Sequence, residues 1–538
     1  MNAIRWISTH IASAFGTSSP GSAEPATFGS YEYKVEETRL GKLDQEALHR
    51  VFSQDGLHYA YITHRGGKSC VVVDGMREAM YDSIADSDPV WSPDGARSAY
   101  AVVMSGKQTV VVDGLPGAPY DGIGKGSIVF SNDSGRVAYQ AKISGKWVAV
   151  VDGVAGPEYD AIDKVVFSPD GKRTAYLAQK GDRYLLNIDG QAGTEYDGLV
   201  AGSLAFSSDG SRFGFVAKRD GKAVIVLDGE PGMECDAIGQ GSLVFSEDGK
   251  RVAYAAFRDG KAFAVVDGRP GTEYDGVGVP VFGPGGGHCA YTAKRGSMYS
   301  MVLDGREGPY YDDVNRMFFG PDGTRTAYTT RQGDKWLAVI DGKPEAEYDG
   351  IAEDFPTFSR DGKRIAYAVK RGTKLRVVVD GQAGPEHDGI GKGTPVFSPD
   401  GGRVAYVAVD SNKRTAVVDG EKGAPYDAIG GNGVIFSGDG THTAYSAMKG
   451  GKWLVVADGR PGRGYDAIGE PGAILSSDGK RLAYAAQEGR AWFVVDGREG
   501  PMYGMVFAKG LAFHPNGVLE YLAMRGYDLC RVKHVPVG

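Results

Sequence analysis

Short acidic side chains beside glycine or tyrosine recur along the whole chain. They occur in three motifs: Ser-Pro-Asp-Gly, as in "VFSPDGKRTAY" (Val166–Tyr176), Val-Asp-Gly, and Tyr-Asp. Repeated carboxylates can ligate calcium or act as general acids and bases. However, no calcium loop of the form Asp-x-Asp-x-Asp-Gly with a terminal Glu occurs. A residue present in every copy is best explained by what every copy needs, so these carboxylates are predicted to accept backbone N–H groups in turns. We expect no metal and no cofactor.

A second group of turns is rich in lysine and arginine, for example "AKRDGKA" at Ala217–Ala223. These turns are strongly net positive, although the chain as a whole has a net charge of −8. A basic rim could attract an acidic protein or another anionic ligand by long-range steering. The alternative is that the lysines only keep hairpin tips soluble. The candidate partner-binding residues are Lys218, Arg219, Lys222, Arg258, Lys261, Lys294, Arg295, Lys370, Arg371 and Lys374.

The elements that must position these groups form thirteen units spaced 37 to 39 residues apart along most of the chain. The unit from Val244, "VFSEDGKRVAYAAFRDGKAFAVVDGRPGTEYDGVG", divides into four short apolar segments separated by turn signals, and "YDGVG" is read as the fourth strand. Asp-Gly supplies the positive φ angles of tight hairpins. No unit contains a helical pattern, so the sequence predicts an all-β β-propeller with about thirteen four-stranded blades, strands a to d.

The two ends of the chain predict how the ring of blades closes. The last unit lacks a fourth strand, and "YEYKVEETRL" at Tyr31–Leu40 could supply it. Thirteen blades exceed the usual number in one ring, so two tandem rings are preferred, with one large ring as the alternative. The expected organisation is 1–30 as a flexible tail or weak leader, 31–280 as the first ring and 281–538 as the second, divided at "VFGPGGGHCAY" (Val281–Tyr291).

The "FSPDGKRxAY" units resemble the PD40, or WD40-like, repeats of TolB-type propellers and of the propeller domains in some prolyl-oligopeptidase-like proteases. The resemblance covers strands a and b in about eleven of the thirteen units. It implies a propeller fold. The second half of each unit, "VVVDGxxGxEYDxI", departs from the family pattern. There is no Gly-x-Ser-x-Gly nucleophile motif, so the activity of the peptidase relatives is not transferred to this chain.

Glycine-rich stretches such as "GIGKGS" (Gly122–Ser127) precede strand a of the next unit and superficially resemble phosphate-binding loops. A phosphate-binding loop must lead into a helix, whereas a strand follows here, so the glycines are predicted to form turns. Because strand a is the innermost strand, these turns should surround the mouth of the central channel. The candidate channel-mouth residues are Lys125, Gln240, Lys392 and Asn432.

Sites where the copies differ are the remaining candidates for a specialised role. Cys235 and His387 replace the usual tyrosine, Gly504 replaces the usual aspartate, Gly285–His288 replaces Asp-Gly-Lys, and His514 is isolated. None of the histidines has a ligand partner at metal spacing, and the four cysteines form no CxxC pair. Drift in a tolerant repeat is the favoured explanation of these differences.

Composition limits the classes of function. The pI near 5.7 gives no general attraction to phosphates, so no nucleic acid is expected, and no apolar run reaches the length of a membrane span. A cytoplasmic location is slightly favoured, with a periplasmic or secreted one if residues 1–30 act as a leader. The leading hypothesis is a non-enzymatic binding or scaffolding propeller that presents a basic loop face to a protein or anionic ligand. The alternative is a propeller enzyme, a glycan lyase or hydrolase, with its site at a channel mouth.

Overall fold

The chain folds into thirteen small antiparallel sheets arranged as the blades of one ring, a thirteen-bladed β-propeller. The computed structural model describes residues 24–28, 31–42, 48–85, 88–353 and 355–537. The predicted fold class is confirmed. The blades form a single ring, so the alternative arrangement is the correct one and the preferred pair of tandem rings was wrong.

Strands b and c form the central hairpin of each blade. The b strands are Tyr59–Arg65, Ser98–Met104, Val137–Ile143, Thr174–Lys180, Phe213–Arg219, Val252–Arg258, Cys289–Arg295, Thr326–Gln332, Ile365–Arg371, Val404–Asp410, Thr443–Lys449, Leu482–Glu488 and Leu519–Arg525. The c strands are Lys68–Val73, Lys107–Val112, Lys146–Val151, Arg183–Ile188, Lys222–Leu227, Lys261–Val266, Met298–Leu303, Lys335–Ile340, Lys374–Val379, Lys413–Val418, Lys452–Ala457, Ala491–Asp496 and Asp528–Pro536.

Strand a is continuous in blades 1 and 13 and split into two short pieces in the other blades. The continuous strands are Leu48–Phe52 and Met505–Phe513. The split strands are Ser83–Ile84 with Val90–Trp91, Gly122–Ile123 with Val129–Phe130, Ala161–Ile162 with Val166–Phe167, Gly198–Leu199 with Ala205–Phe206, Ala237–Ile238 with Val244–Phe245, Gly276–Val277 with Val281–Phe282, Asp313–Val314 with Phe318–Phe319, Gly350–Ile351 with Thr357–Phe358, Gly389–Ile390 with Val396–Phe397, Ala428–Ile429 with Ile435–Phe436, and Ala467–Ile468 with Ile474–Leu475.

Strand d lies at the outer edge and is short in most blades. The named d strands are Met76–Arg77, Leu115–Pro116, Val154–Ala155, Gln191–Ala192, Glu230–Cys235, Arg269–Pro270, Arg306–Tyr311, Lys343–Tyr348, Gln382–Ala383, Glu421–Tyr426, Arg460–Pro461 and, in blade 13, Tyr33–Lys42. One 3₁₀ turn, Pro284–Gly286, is present in the described part of the chain.

The continuous apolar runs of strands b and c explain why the blades stack. Both faces of these strands are apolar, and their side chains are buried against the preceding and following blades, as in the cluster that contains Tyr254, Phe263 and Val265. The b–c hairpins close with residues at positive φ, for example Asp220 (51°) and Gly221 (78°). These are the angles that Asp-Gly was predicted to supply.

The interpretation of "YDGVG" as strand d needs correction. Tyr120 ends strand d of blade 2 in a bridge with Gln108, whereas Gly122–Ile123 already pairs with strand b of blade 3. The chain therefore crosses from the outer edge of one blade to the inner edge of the next at Asp121. The Asp121 carboxylate accepts the N–H of Ser144 in the b–c turn of blade 3, which fixes the crossing.

The N-terminal strand closes the ring, as predicted. Tyr33–Lys42 pairs antiparallel with Asp528–Pro536 and forms the outer strand of blade 13. Blade 13 then packs on blade 1 through Leu522 and Leu529. Of the predicted tail, residues 24–28 contact blades 11 and 12, and the carbonyl of Glu24 accepts from the N–H of Arg463 (2.8 Å). Residues 1–23 and 29–30 of the predicted tail lie outside the described residues.

Contacts between neighbouring blades continue across the boundary expected at Val281. Arg251 Nη1 of blade 6 donates to the carbonyl of Gly286 in blade 7 (3.0 Å). The N–H of Gly285 donates to Glu247 Oε2 (3.2 Å). The division of the chain into units 31–280 and 281–538 stays a prediction.

Candidate functional site

One end of the ring, where the a–b and c–d turns lie, repeats one side-chain contact to an aspartate in twelve blades, made by arginine in nine blades and by histidine in three. In blade 2, Arg97 Nε donates to Asp113 Oδ2 (2.9 Å), and Asp113 Oδ1 accepts the N–H of Ser98 (3.1 Å). Arg97 Nη1 also reaches blade 3 and donates to the carbonyl of Gly135 (2.7 Å). The arginine–aspartate and histidine–aspartate pairs are His58–Asp74, Arg97–Asp113, Arg136–Asp152, Arg173–Asp189, Arg212–Asp228, Arg251–Asp267, His288–Asp304, Arg325–Asp341, Arg364–Asp380, Arg403–Asp419, His442–Asp458 and Arg481–Asp496.

The Ser-x-Asp-Gly turns at this end are closed internally. Ser168 Oγ donates to Asp170 Oδ1 (2.6 Å), and the N–H of Lys172 donates to the same oxygen (3.2 Å). The hydrogen bond from Ser168, followed by that from the Lys172 N–H, lowers the pKa of Asp170 to about 2. The aspartate of the motif is therefore an ionised acceptor that closes its own turn.

At the opposite end, where the b–c turns lie, the Tyr-Asp aspartates pair with the lysines of the same face. Asp236 Oδ1 accepts from Lys222 Nζ (2.5 Å), and Oδ2 accepts the N–H of Asp259 in the next blade (2.8 Å). The hydrogen bond between the two side chains lowers the pKa of Asp236 and raises that of Lys222. Each such aspartate thus joins one blade to the next and neutralises a turn lysine.

Six of the ten predicted partner-binding cations are paired in this way with acids of their own blade. The pairs are Lys222–Asp236, Lys261–Asp275, Lys374–Asp388, Arg219–Glu234, Arg258–Glu273 and Arg295–Glu307. The paired acids lie outside the turns, in or next to the d strands, and the fold brings them to the same face. This face is therefore less positive than the turns alone indicate.

The other predicted cations, Lys218, Lys294, Lys370 and Arg371, have no carboxylate within ion-pair distance among the described residues. Three of them belong to a set that we call the inner lysines. The inner lysines are the sixth residues of strand b in blades 3, 5, 7 and 9, namely Lys142, Lys218, Lys294 and Lys370.

Each inner lysine stands directly opposite a glycine of the innermost strand. Lys218 pairs with Gly198 and Lys370 with Gly350. A Cβ placed on Gly350 would lie 3.6 Å from Lys370 Cβ, so the glycine leaves the lysine stem uncovered on the side of the ring axis. Lys294 Nζ lies over the Tyr299 ring (5.2 Å), and Lys142 Nζ lies over the Trp147 ring. The inner lysines occupy alternate blades and span about half of the ring.

The glycine-rich stretches interrupt strand a instead of preceding it. In blade 3 the N–H and the hydroxyl of Ser127 both donate to the carbonyl of Gly124 (3.1 and 2.7 Å), which closes a turn between the two pieces of the strand. Lys125, Gln240 and Lys392 lie exposed on such turns. These turns belong to the innermost strands, and they are the part of each blade that sequence reasoning placed at the channel.

Asn432 lines a cavity of about 430 Å³ between the inner turns of blades 11 and 12. Its Nδ2 donates to the carbonyl of Pro471 in the next inner turn (2.6 Å). Trp453, Glu470 and Lys509 also line this cavity. The structure thus separates Asn432 from the inner lysines, which are located on blades 3 to 9.

Most residues that depart from the repeat have partners within the fold. His387 is buried; its Nδ1 lies 2.9 Å from Asp410 Oδ2, and Lys422 Nζ donates to the same oxygen (3.1 Å). The hydrogen bonds from these two residues outweigh burial and lower the pKa of Asp410 to about 2. In blade 12, Gly504 stands where other blades have the Tyr-Asp aspartate, and Ala491 stands where most have the lysine that begins strand c. Both partners of the usual lysine–aspartate pair are therefore replaced in this blade.

His288, His514 and Cys235 also have structural surroundings. His288 Nδ1 takes the place of the arginine and lies 2.6 Å from Asp304 Oδ2. His514 Nε2 lies 2.9 Å from Glu520 Oε2. Cys235 is buried, as are the other three cysteines, and all four are free thiols. The described residues contain no group of three metal-ligating side chains, and no helix among them is long and apolar enough to cross a membrane.

The seam between blades 12 and 13 holds a buried polar cluster that sequence reasoning missed. Arg481 Nη2 donates to Asp496 Oδ2 (2.5 Å), and His534 Nδ1 lies 2.9 Å from the same oxygen. The Tyr31 hydroxyl donates to Asp496 Oδ1. The Tyr33 ring stacks on the His534 ring at 4.4 Å. The members are up to 503 positions apart in sequence numbering, so spacing could not indicate them, and Asp496 stands in the same Val-Asp-Gly motif as its counterparts in other blades.

No family model matches this chain, and no curated protein is similar to it at a significant level. Solved structures with similar folds include a eukaryotic initiation factor (14% identity, 62% of this chain and 96% of that chain, TM-score 0.31). TolB from Acinetobacter baumannii matches with 19% identity over 49% of this chain and 77% of its own, with a TM-score of 0.22. The β-propeller domain of the Trilobed protease from Pyrococcus furiosus matches with 12% identity over 48% and 92%, with a TM-score of 0.23. At these scores the similarities carry no argument about function.

Proposed function

We propose that this protein is a non-enzymatic binding propeller that holds an acidic segment of a partner protein across the inner lysines. The observation that carries the proposal is the contrast between two sets of cations on one face. The outer lysines, such as Lys222 and Lys374, are neutralised by Tyr-Asp aspartates of their own blade. The inner lysines have no such partner among the described residues.

The geometry of the inner lysines suits an extended anionic ligand. They recur at one strand position in alternate blades, and a glycine opposite each one leaves its stem open toward the ring axis. Lys125 and Lys392 add exposed positive charge on inner turns of blades 3 and 10. Such an arc attracts acidic chains by long-range electrostatics, which raises the association rate and makes binding dependent on salt.

The experiment compares two triple charge reversals. In K218E/K294E/K370E, three inner lysines are reversed. The control K172E/K250E/K363E makes the same change in net charge in the a–b turns at the opposite end of the ring, where all three lysines are exposed. The probe is fluorescently labelled poly-L-glutamate, and its dissociation constant is measured by anisotropy between about 20 and 150 mM salt, a range over which screening becomes strong.

We expect the inner-lysine variant to bind at least about tenfold more weakly than the control at low salt, with a shallower dependence on salt concentration. Equal binding by the two variants at low salt contradicts the proposal. A labelled heparin fragment in the same assay distinguishes recognition of acidic peptides from capture of any polyanion.

We further propose that the repeats are of the PD40 type found in TolB-like propellers. The Ser–Asp hydrogen bond that closes the a–b turn supports this, because it explains why the "SPDG" residues that carry the resemblance recur: Ser398 to Asp400 repeats the contact of Ser168 to Asp170. The proposal concerns the repeat and assigns no partner.

A further inference from the structure

The groove between blades 4 and 5 differs from its equivalents in residue type. Strand b of blade 5 begins Phe213-Gly214-Phe215, whereas the third residue of strand b is tyrosine in the other twelve blades. Phe215 is buried and faces blade 4, where its ring contacts the Tyr196 ring edge to face at 6.1 Å. The replacement removes one hydroxyl from the interface between two blades.

Tyr196, which faces Phe215, is a buried donor without a hydrogen-bond partner among the described residues. Between blades 2 and 3, the hydroxyls of Tyr120 and Tyr139 interact, and burial together with this contact raises the pKa of Tyr139. Tyr196 occupies the position of Tyr120 and is 1% exposed, but its hydroxyl has no hydrogen-bond partner among the described residues. A buried hydroxyl without an acceptor is costly, so the site favours an acceptor from outside.

Beside Tyr196 lies a cavity of about 300 Å³ that opens to the outer surface. Its apolar walls are formed by Leu186, Ile188, Ala192, Phe213, Phe215 and Val226. Arg173 lies over the Phe213 ring at 5.2 Å, whereas Arg212 in the next blade stacks on the strand a residue Phe245. Because Arg173 Nε also donates to Asp189 (3.0 Å), the charge beside the cavity is already paired.

We propose that this cavity binds a flat, uncharged aromatic molecule that carries one hydrogen-bond acceptor. The apolar walls and the two phenylalanine rings contact the flat faces of the ligand, and the Tyr196 hydroxyl donates to its acceptor. The cavity volume is large enough for a bicyclic ring system. Because Arg173 is already paired with Asp189, the site offers no free positive charge to an anion. This site is separate from the inner lysines and independent of the proposed function.

The chain supplies a matched control for blocking the cavity. The sequence Asp-Gly-Gln-Ala-Gly occurs at Asp189–Gly193 in blade 4 and again at Asp380–Gly384 in blade 9. In blade 4 it faces Phe213 and Phe215; in blade 9 it faces Val404 and Tyr406 of blade 10. Ala192→Trp therefore blocks the cavity, and Ala383→Trp makes the same change at an equivalent position without it.

The probe is coumarin, an uncharged bicycle with a carbonyl acceptor, and binding is measured by calorimetry and by the shift in Tm. We expect wild type and A383W to bind coumarin and A192W to lose binding. Absence of binding to folded wild type, or equal binding by A192W, overturns the proposal. F215Y restores the residue of the other twelve blades and thus keeps the fold; its new hydroxyl pairs with Tyr196, so we expect about fivefold weaker binding.

Tyr196→Phe tests the role of the hydroxyl. We expect this variant to bind coumarin about fivefold more weakly and naphthalene, which has no acceptor, with unchanged affinity. Equal effects on the two probes, or no effect on coumarin, overturn the assignment of Tyr196 as the donor.

Discussion

The Arg364–Asp380 pair of blade 9 and the Arg481–Asp496 pair of blade 12 occupy the same place in the repeat but have different surroundings. The side chains of the first pair are 32% and 38% exposed, and those of the second are 8% and 0% exposed. Asp380 is a turn residue at a φ of 50°, whereas Asp496 belongs to strand c. The same contact therefore closes an exposed turn in blade 9 and forms a buried ion pair in blade 12.

The difference follows from where the ring is closed. At blade 12 the N-terminal segment passes over the ion pair and adds Tyr31, and the C-terminal strand adds His534. Burial raises the pKa of Asp496, but the hydrogen bonds from His534 and Arg481 outweigh it, so the pKa lies below its usual value. Blades 12 and 13 are consecutive in the chain, but the outer strand of blade 13 comes from the N-terminal segment, so this region holds both described ends of the chain together.

Removal of the buried aspartate should produce the largest difference between the two pairs. Asp496→Ala leaves Arg481 and His534 buried without their shared acceptor, so we expect a loss of about 3 to 5 kcal/mol in the free energy of unfolding. Asp380→Ala, the matched change in blade 9, should cost about 1 to 2 kcal/mol. Urea unfolding followed by circular dichroism measures both, and equal losses would contradict the distinction.

The dependence of stability on pH should also separate the two regions. Burial lowers the pKa of His534, against the influence of Asp496, while Arg481 and Arg498 also lower it. The unfolded chain then binds this proton more readily than the folded one, so stability should fall as the pH drops below about 6.5 and recover above it. The His534 imidazole also contacts the Tyr33 ring and Tyr521, whose hydroxyl lies 3.2 Å from His534 Nε2.

The measurement for this prediction is Tm between pH 7.5 and pH 5 for wild type and for His534→Gln. Glutamine keeps polar contacts with Asp496 and does not titrate, so its curve should be flatter in this range. If Tm falls with pH equally steeply in the variant and in wild type, groups other than His534 cause the loss of stability in acid.

Tyr31→Phe should have a smaller effect at the same seam. It removes one hydrogen bond to Asp496, and Arg481 and His534 still bind the carboxylate, so we expect a loss of about 1 kcal/mol. Tyr310→Phe removes an exposed hydroxyl that donates to Glu307 (2.9 Å) and is the control. No measurable difference between these variants would show that Tyr31 contributes nothing to closure.

The smallest effect is expected for an exposed pair of the b–c face. Lys374 Nζ donates to Asp388 Oδ1 (2.6 Å), and both side chains are nearly half exposed. Because water screens such pairs, Lys374→Ala should leave the urea midpoint unchanged within error. A shift comparable to that of Asp496→Ala would mean that surface pairs also hold the ring together.

Repetition made much of the fold predictable. The Asp-Gly hairpins, the blade unit and the closing strand at Tyr33–Lys42 all follow from local turn chemistry and from counting strands at the two ends. The boundary between strand d and the next strand a was misjudged at Asp121, because a crossing between blades has the same apolar pattern as a hairpin. The ring number was misjudged because spacing within the repeat does not encode the angle between blades.

The candidate sites were predictable only in part. The turn cations could be listed from the sequence, but their neutralisation by Asp236 or Asp388 depends on which turns the fold brings to one face. Phe215 was visible as a departure from tyrosine, yet its consequence depends on Tyr196 in the preceding blade. Asp496 looked like every other Val-Asp-Gly aspartate until the termini covered it.

The sequence by itself determined the repeat, the type of each turn and the strand that completes blade 13, because hairpins and strands depend on residues that are near one another in the chain. Only the tertiary structure decided that thirteen blades form one ring, which lysines remain without a carboxylate, and which aspartate is buried. These outcomes depend on burial and on distances between residues far apart in sequence. Identical motifs at Asp380 and Asp496 therefore have different physical roles.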